Sequence, residues 1–184
     1  NASTVGSFDL GIYKTENGSN EILKDLENNK FEIVYLLGQD NLKFKKKNEF
    51  IIYQGSHGDK GAEMADIILP GAAYTEQNGY FTNLEGKLQK AYKASYPPEY
   101  AKEDWLIINE LAEAMNHRKL FNDKDELDSS LLNQINLYIE KNKLKKFSEI
   151  KNLDFKQEIL KINNEDYYYS NAIARASKTM FECK

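Results

Sequence analysis

The chain has 184 residues, 41% of them hydrophobic, which is enough for one domain with a real core. The formal net charge of −4 argues against the broad basic face of a nucleic-acid-binding protein. No run of the sequence reaches the roughly 18–20 apolar residues of a membrane span, so direct membrane insertion is not expected. The chain begins with Asn rather than Met, and we therefore expect a segment of a longer protein.

The N-terminal part predicts little regular structure before residue 20. Residues 1–17 carry two glycines without a sustained period, which is typical of a loop or a short strand. Ile22, Leu23 and Leu26 then give one apolar face to a helix predicted over 20–29.

Three short apolar runs predict a sheet. They lie at 31–37, 50–53 and 66–69, and each is followed closely by a glycine or a proline. Such continuous runs are typical of strands buried on both faces. Together with the intervening helical stretches, they predict an α/β fold with a Rossmann-like, doubly wound parallel sheet.

The second half of the chain predicts an irregular β-ribbon and helices. Polar and aromatic residues with two glycines indicate the ribbon over 78–90. Helices are predicted over 100–116, 129–142 and 171–182. The first of them has a predicted core stripe of Ala101, Trp105, Ile108, Ala112 and Met115. We therefore divide the chain into an α/β region, 1–95, and a mainly helical region, 96–184.

A glycine-rich loop, residues 55–61, joins the second and third predicted strands. Its glycines Gly55, Gly58 and Gly61 follow a spacing of three, whereas dinucleotide-binding loops have G-x-G-x-x-G and Walker A loops have G-x-x-x-x-G-K-[ST]. Lys60 follows Asp59 and precedes a glycine, so it does not fit the Walker pattern. A turn that needs positive φ at these glycines is favoured over a phosphate cradle.

Other polar residues predict no assembled site. His57 and Asp59 could form a His–carboxylate couple, but no activated nucleophile accompanies them. Glu76 and Glu85 are best explained as the polar face of the ribbon.

The sequence also lacks a pattern of residues suited to binding a metal or an iron–sulfur cluster. His57 and His117 lie too far apart for metal-ligand spacing. The single Cys183 excludes a disulfide framework and a protein-held iron–sulfur cluster. The short basic run Lys43–Lys47 is typical of a solvated loop. The sequence therefore predicts no catalytic, cofactor-binding or metal-binding residue.

Two sequence motifs, in this order along the chain, nevertheless resemble motifs of the molybdopterin oxidoreductase superfamily. They are ADIILPG at 65–71 and TNLEGKLQ at 82–89. The superfamily pattern is roughly A-D-[VI]-[VI]-L-P, then a Glu, a Gly and T-N-x-E-G-R-x-Q. Its positions correspond here to Ala65, Asp66, Leu69, Pro70, Glu76, Gly79, Thr82, Asn83, Glu85, Gly86 and Gln89, with Lys87 in place of the usual Arg.

A longer stretch is similar to one branch of that superfamily. YQGSHGDKGAEMADIILPGAAYTE at 53–76 resembles the large iron–sulfur subunits of respiratory NADH–quinone oxidoreductase (complex I), of the alphaproteobacterial and mitochondrial type. AKEDWLIINELAE at 101–113 and YYYSNAIARASKTM at 167–180 are similar to the C-terminal region of the same subunits. Catalytic members carry a T-E-T-A-like word where this chain has residues 59–62, DKGA.

The resemblance implies a supporting role in electron transfer from NADH to quinone in this respiratory-chain translocase. It implies iron–sulfur clusters in an N-terminal region outside this sequence, and a molybdopterin-enzyme fold without the molybdenum cofactor in this part. It also implies other peripheral-arm subunits as partners, at the cytoplasmic face of the bacterial inner membrane or on the mitochondrial matrix side. The alternative is a domain of a catalytic molybdopterin-dependent oxidoreductase, in which the glycine-rich loop would line a pterin site.

Overall fold

The computed structural model describes residues 4–12, 18–39, 44–115, 118–141, 167–169 and 171–183. The helices are α1 (Thr4–Asp9), α2 (Gly18–Glu27), α3 (Lys60–Met64), α4 (Asp104–Ala114), α5 (Lys124–Lys141), α6 (Ala172–Ala176) and α7 (Lys178–Glu182). The strands are β1 (Ile33–Leu37), β2 (Phe50–Gly55), β3 (Ile67–Pro70), β4 (Gly79–Thr82) and β5 (Leu88–Ala91). A 3-10 turn spans Tyr167–Tyr169.

The three predicted strands form a parallel sheet in the order β1-β2-β3, as expected for an α/β fold. Val34 lies beside Ile51, and Ile52 lies beside Ile67, so the register keeps apolar residues together on each face. A short helix, α3, precedes β3 where the sequence predicted only a loop. The helix has five residues, too few for the 3.6-residue period to be recognised in the sequence.

The two faces of the sheet differ in burial. One face carries the core residues Leu36, Ile51 and Tyr53, and α3 and the 44–49 segment contribute Phe44, Ala62 and Met64 against it. On the other face, the large apolar residues Ile33, Leu37, Phe50 and Ile67 are 64%, 51%, 42% and 45% exposed. The prediction of strands buried on both faces is therefore wrong for β1 and β3. On that second face the described residues cover Gln54, which is fully buried and bonded to Asp104 of α4, but leave these four apolar side chains open.

The predicted ribbon is a regular antiparallel pair, β4 and β5, in which Gly79 lies opposite Ala91 and Thr82 opposite Leu88. Helix α1 packs against β4, and an added Cβ on Gly6 would lie 3.4 Å from Thr82 Oγ1. The prediction of a loop or strand at 1–17 is wrong for residues 4–9. A helix this short is stabilised by packing rather than by intrinsic propensity.

Helix α4 buries a different face from the predicted one. Ile107 and Asn109 are buried, whereas Ile108 and Met115 of the predicted core stripe are 37% and 62% exposed. The Asn109 side chain connects α4 to the following segment: its Oδ1 accepts from Leu120 N at 2.7 Å, and its Nδ2 donates to Phe121 O at 2.8 Å. The stripe prediction is wrong because α4 is apolar on more than one side, so periodicity does not identify its buried face.

The C-terminal helix predicted over 171–182 is interrupted at Ser177. Helix α6 begins after Asn171, whose Oδ1 accepts from Ala174 N at 2.9 Å. Helix α7 begins after Ser177, whose Oγ accepts from Met180 N at 3.3 Å. A second capping side chain inside the predicted helix thus starts a new helix.

Candidate functional site

A cavity of about 390 Å³ lies at the carboxyl ends of β2 and β3, where open parallel sheets commonly bind their ligands. The glycine-rich loop contributes Ser56 and His57, and the segment after β3 contributes Gly71, Ala73 and Glu76. Its remaining lining comes from Pro70 and from Pro98, Glu99, Tyr100 and Ala101. The cavity is therefore the natural place to look for a cofactor.

Gly55 and Gly61 are required for close packing, and none of the three loop glycines has a positive φ. Within the described residues the glycines with positive φ are Gly11, Gly38 and Gly86, so the prediction of positive φ in the loop is wrong. A Cβ on Gly61 would lie 2.7 Å from Gln39 O and 2.9 Å from the Tyr53 ring. At Gly58 the nearest atom to an added Cβ is 3.9 Å away. Protein atoms, in particular the Tyr53 ring, thus fill the space against Gly61.

His57 and Asp59 do not form a couple, because each has other partners. The His57 ring Nδ1 lies 3.0 Å from Ser56 Oγ, and the His57 carbonyl accepts from Tyr53 OH at 2.8 Å. Asp59 precedes α3 as its N-cap, where its Oδ1 accepts from Lys60 N at 2.8 Å. The candidate acid–base couple is absent from this geometry.

Asp59 pairs instead with Arg175 of α6, which was not singled out in the sequence. Arg175 Nε lies 2.5 Å from Asp59 Oδ2, and the two side chains are only 18% and 22% exposed. Burial raises the pKa of the Asp59 carboxyl, but hydrogen bonds from Arg175 and from Lys60 N outweigh that effect and lower the pKa overall. No local signal links the two residues, since they lie 116 positions apart.

The charges around the cavity are negative. Glu76 and Glu99 line it, and among the described residues of its lining there is neither a lysine nor an arginine. Glu76 is partly engaged, because its Oε2 accepts from Ala73 N at 2.9 Å. Lys60 lines a separate cleft together with Lys45 and Lys47. Carboxylates without a neighbouring lysine or arginine disfavour a phosphate group in the cavity.

Glu85 does not line the cavity, because it lies in the turn of the ribbon between β4 and β5. Asn83 Oδ1 builds that turn by accepting from Glu85 N at 3.0 Å and from Lys87 N at 2.9 Å. Gly86 completes the turn at a φ of +80°. The T-N-x-E-G motif therefore specifies a tight turn.

Asp66, in the ADIILPG motif, connects two strands. Its Oδ2 accepts from Ile51 N at 2.8 Å, and its backbone N donates to Ile51 O at 2.8 Å. The hydrogen bond from Ile51 N lowers the pKa of the Asp66 carboxyl, and Lys46, 2.6 Å away, adds to the effect. Lys46 of the predicted solvated basic run is thus an ion-pair partner, whereas Lys43 lies outside the described residues.

A polar network behind the cavity connects the sheet to α4. Gln54 is fully buried, and its Nε2 donates to Asp104 Oδ1 at 2.8 Å. Gln77 Nε2 donates to Asp104 Oδ2 at 3.0 Å, and Tyr35 OH donates to Gln54 Oε1. Burial, and secondarily the charge of Asp104, raise the pKa of Tyr35. The network consists of side chains that satisfy one another, as buried polar groups must.

Neither a metal cluster nor a membrane-spanning helix is found within the described part of the chain. Among the residues that the structure describes, no cluster of three or more His, Cys, Asp and Glu side chains could hold a metal ion. Cys183 is exposed and follows α7 as its C-cap, and His117 lies outside the described residues. Over the same described ranges, no helix is both long enough and apolar enough to cross a bilayer.

Comparison with known families gives two matches along the chain. The model of the molybdopterin oxidoreductase family matches residues 1–114, and that of the C-terminal region of the NADH-ubiquinone oxidoreductase G subunit matches residues 136–183. The first of these covers both the glycine-rich loop and α4.

Curated relatives match almost the whole chain. It is 40% identical to the NADH-ubiquinone oxidoreductase 75 kDa subunit of Reclinomonas americana and 43% identical to the NADH-quinone oxidoreductase G subunit of Rickettsia bellii, each over 99% of this chain. The mitochondrial 78 kDa subunit of Candida albicans is 35% identical over the same share. These matches cover 27%, 26% and 26% of the respective relatives, so the chain spans about a quarter of their length.

Proposed function

The chain belongs to the molybdopterin oxidoreductase family, and we propose that it serves as a supporting part of the large iron–sulfur subunit of an NADH–quinone oxidoreductase without binding a cofactor itself. In this role it contributes stability and contact surface to the enzyme complex. Electrons pass from NADH to quinone through other parts of the complex.

The observation that carries the proposal is the occupation of the glycine-rich loop by the chain's own groups. The Tyr53 ring fills the space in front of Gly61, and Asp59 is neutralised by Arg175. A loop that cradles a phosphate or pterin leaves its backbone N–H groups open toward the ligand. Here Lys60 N donates to Asp59, and a carboxylate takes the place that an anionic ligand would need.

The charges of the cavity support the same role. Glu76 and Glu99 face a space that would have to receive an anionic pterin nucleotide, without a lysine or arginine in its lining. Binding such an anion there would require either protonation of the carboxylates or a conformational change.

The proposed partners are the neighbouring subunits of the peripheral arm, on the cytoplasmic or matrix side of the membrane. The apolar side chains of Ile33, Leu37 and Ile67 on one face of the sheet are exposed in the chain alone, which suits a part of a larger assembly. Iron–sulfur clusters are proposed for other regions of the subunit, because one cysteine cannot hold one.

Thermal unfolding in the presence of candidate ligands tests the cofactor-free role. A ligand that binds only the folded state raises the unfolding midpoint by mass action. We expect no shift with GTP, NADH or a pterin nucleotide, and no molybdenum, iron or stoichiometric zinc in the purified chain by elemental analysis. A saturable shift with the pterin nucleotide, or about one molybdenum per chain, would instead support the catalytic alternative.

A further inference from the structure

The C-terminal element, residues 167–169 and 171–183, reaches back to the glycine-rich loop. Arg175 Nε donates to Asp59 Oδ2, and this charged contact joins two residues that lie 116 positions apart in the sequence. We propose that the Arg175–Asp59 ion pair is a latch through which the C-terminal element fixes the shape of the glycine-rich loop. The inference rests on the proposed function in one respect, that the loop holds no ligand that could order it.

The Arg175 guanidinium is held in place by contacts within the C-terminal element. Arg175 Nη1 donates to Tyr169 O at 2.9 Å, so the side chain bridges the 3-10 turn and the loop. Tyr169 OH in turn donates to Met180 O at 3.1 Å, which connects the turn to α7. Because the planar guanidinium donates in two directions, it can hold both contacts at once, which a lysine cannot do in the same geometry.

The carboxylate side of the latch determines where α3 begins. One Asp59 oxygen accepts from Lys60 N, while the Asp59 carbonyl accepts from Glu63 N at 3.0 Å. The other oxygen is left for Arg175. Asp59 is therefore fixed from two sides, and with it the loop whose Ser56 and His57 line the 390 Å³ cavity.

The burial of the pair gives the latch its strength. Both side chains are less than a quarter exposed, at 18% and 22%, so solvent screens the pair less than a surface ion pair. Losing either partner leaves a partly buried charge without its counter-charge, which costs more than losing an exposed pair.

The latch also connects the two matched segments of the chain. Asp59 lies in the segment matched by the molybdopterin oxidoreductase model, and Arg175 lies in the segment matched by the C-terminal model of the G subunit. The C-terminal element thus provides the ordering contact that an anion provides in ligand-binding glycine loops.

Hydrogen exchange on the purified enzyme complex tests the latch through a double-mutant cycle. Asp59→Asn keeps a side chain that can cap α3 but removes the charge, and Arg175→Gln removes the guanidinium. We expect each single substitution to speed amide exchange about tenfold in both 59–65 and 171–183, and the double substitution to add little more. Glu110→Gln is the matched control, because it breaks the exposed ion pair between Lys102, which precedes α4, and Glu110 of α4, and should leave both segments unchanged.

Two outcomes would overturn the latch. One is faster exchange confined to the segment that carries the substitution, and the other is a double variant whose effect is the product of the two singles. If Arg175→Gln does not accumulate, Arg175→Lys replaces it, with an intermediate acceleration expected and an unchanged rate contradicting the latch.

Inorganic phosphate added to the wild-type complex separates the latch from the proposed function. Saturable protection of residues 55–61 by phosphate would contradict the cofactor-free role. The latch is tested separately, by the double-mutant cycle. An additive cycle without any phosphate effect would contradict the latch alone.

Discussion

At the scale of single residues, close packing at Gly61 and the ion pair of Asp59 define the contacts of the glycine-rich loop. Gly61 is needed because the Gln39 carbonyl and the Tyr53 ring approach it closely. Gly58 has no such neighbour. The two glycines belong to one spacing pattern in the sequence, yet Gly61 lies in α3 against Tyr53, whereas Gly58 precedes the helix, where an added Cβ would lie 3.9 Å from its nearest neighbour.

Gly61→Ala should therefore destabilise the chain by about 1–3 kcal/mol, the usual cost of forcing extra volume into a packed site. Gly58→Ala is the matched control and should change the free energy of unfolding by less than about 0.5 kcal/mol. Urea unfolding of both variants beside the wild type measures the difference. Equal effects at the two positions would mean that packing against Tyr53 does not explain the glycine at 61.

The Asp59 carboxylate has a pKa that is lowered by Arg175 and Lys60 N against the opposing effect of burial. A carboxylate with a lowered folded-state pKa stabilises the fold above its unfolded pKa, about 3.9, and the stabilisation is lost as the pH falls through the folded value. Asp59→Asn should thus be less stable than the wild type at pH 7. The difference should shrink progressively below about pH 4.

Unfolding midpoints of the two proteins between pH 7 and pH 2 measure this dependence. A difference that stayed constant over the whole range would show that the charge of Asp59 contributes nothing and that only its shape matters. A difference that grew in acid would contradict the sign of the pKa shift.

At the scale of secondary-structure elements, the buried face of α4 differs from the face that its apolar pattern predicted. Its apolar residues allow more than one stripe, and the structure buries Ile107 while leaving Ile108 37% exposed. Trp105, from the predicted stripe, is half-buried, and its Nε1 donates to Glu103 Oε2 at 3.1 Å. Ile108, Ala112 and Met115 of that stripe line an apolar groove, together with Leu111, Arg118 and Leu120.

Ile107→Ala and Ile108→Ala form a matched pair for this helix, because they remove the same atoms from adjacent positions. Ile107→Ala should destabilise by about 2–5 kcal/mol, as expected for a buried isoleucine. Ile108→Ala should cost about 1 kcal/mol or less in the chain alone. Chemical denaturation compares them, and a larger loss at position 108 would support the predicted stripe.

The same elements show what the sequence could and could not predict. The three strands of the sheet were predictable because β-branched runs ending at Gly or Pro are a local signal. The buried face of α4 and the Arg175–Asp59 pair were not, because each depends on contacts between distant segments. The break at Ser177 has a local cause, the capping bond from Met180 N to Ser177 Oγ, but the apolar periodicity that predicted one helix over 171–182 does not detect a cap. The carboxyl-edge cavity follows from the sheet, but its negative lining depends on Glu99, which comes from the segment before α4.

At the scale of the whole molecule, two of the residues that resemble the family make hydrogen bonds that connect parts of the fold. Asp66 joins β3 to β2, and Asn83 builds the ribbon turn. The buried Gln54–Asp104 contact connects the sheet to α4 across the predicted boundary at residue 95. That boundary stays a prediction, and limited proteolysis near residues 92–100 checks it.

The most direct test of the supporting role separates assembly from turnover in the enzyme complex. Gln54→Leu removes the amide that bridges Tyr35 and Asp104, two half-buried groups that lose this partner, at a cost of about 1–3 kcal/mol. The variant is compared with the wild type for the amount of assembled complex in membranes and for NADH–quinone turnover per assembled complex. We expect less assembled complex and unchanged turnover in each complex that forms. Normal assembly with a marked loss of turnover per complex would contradict the account, because this part would then take part in the reaction.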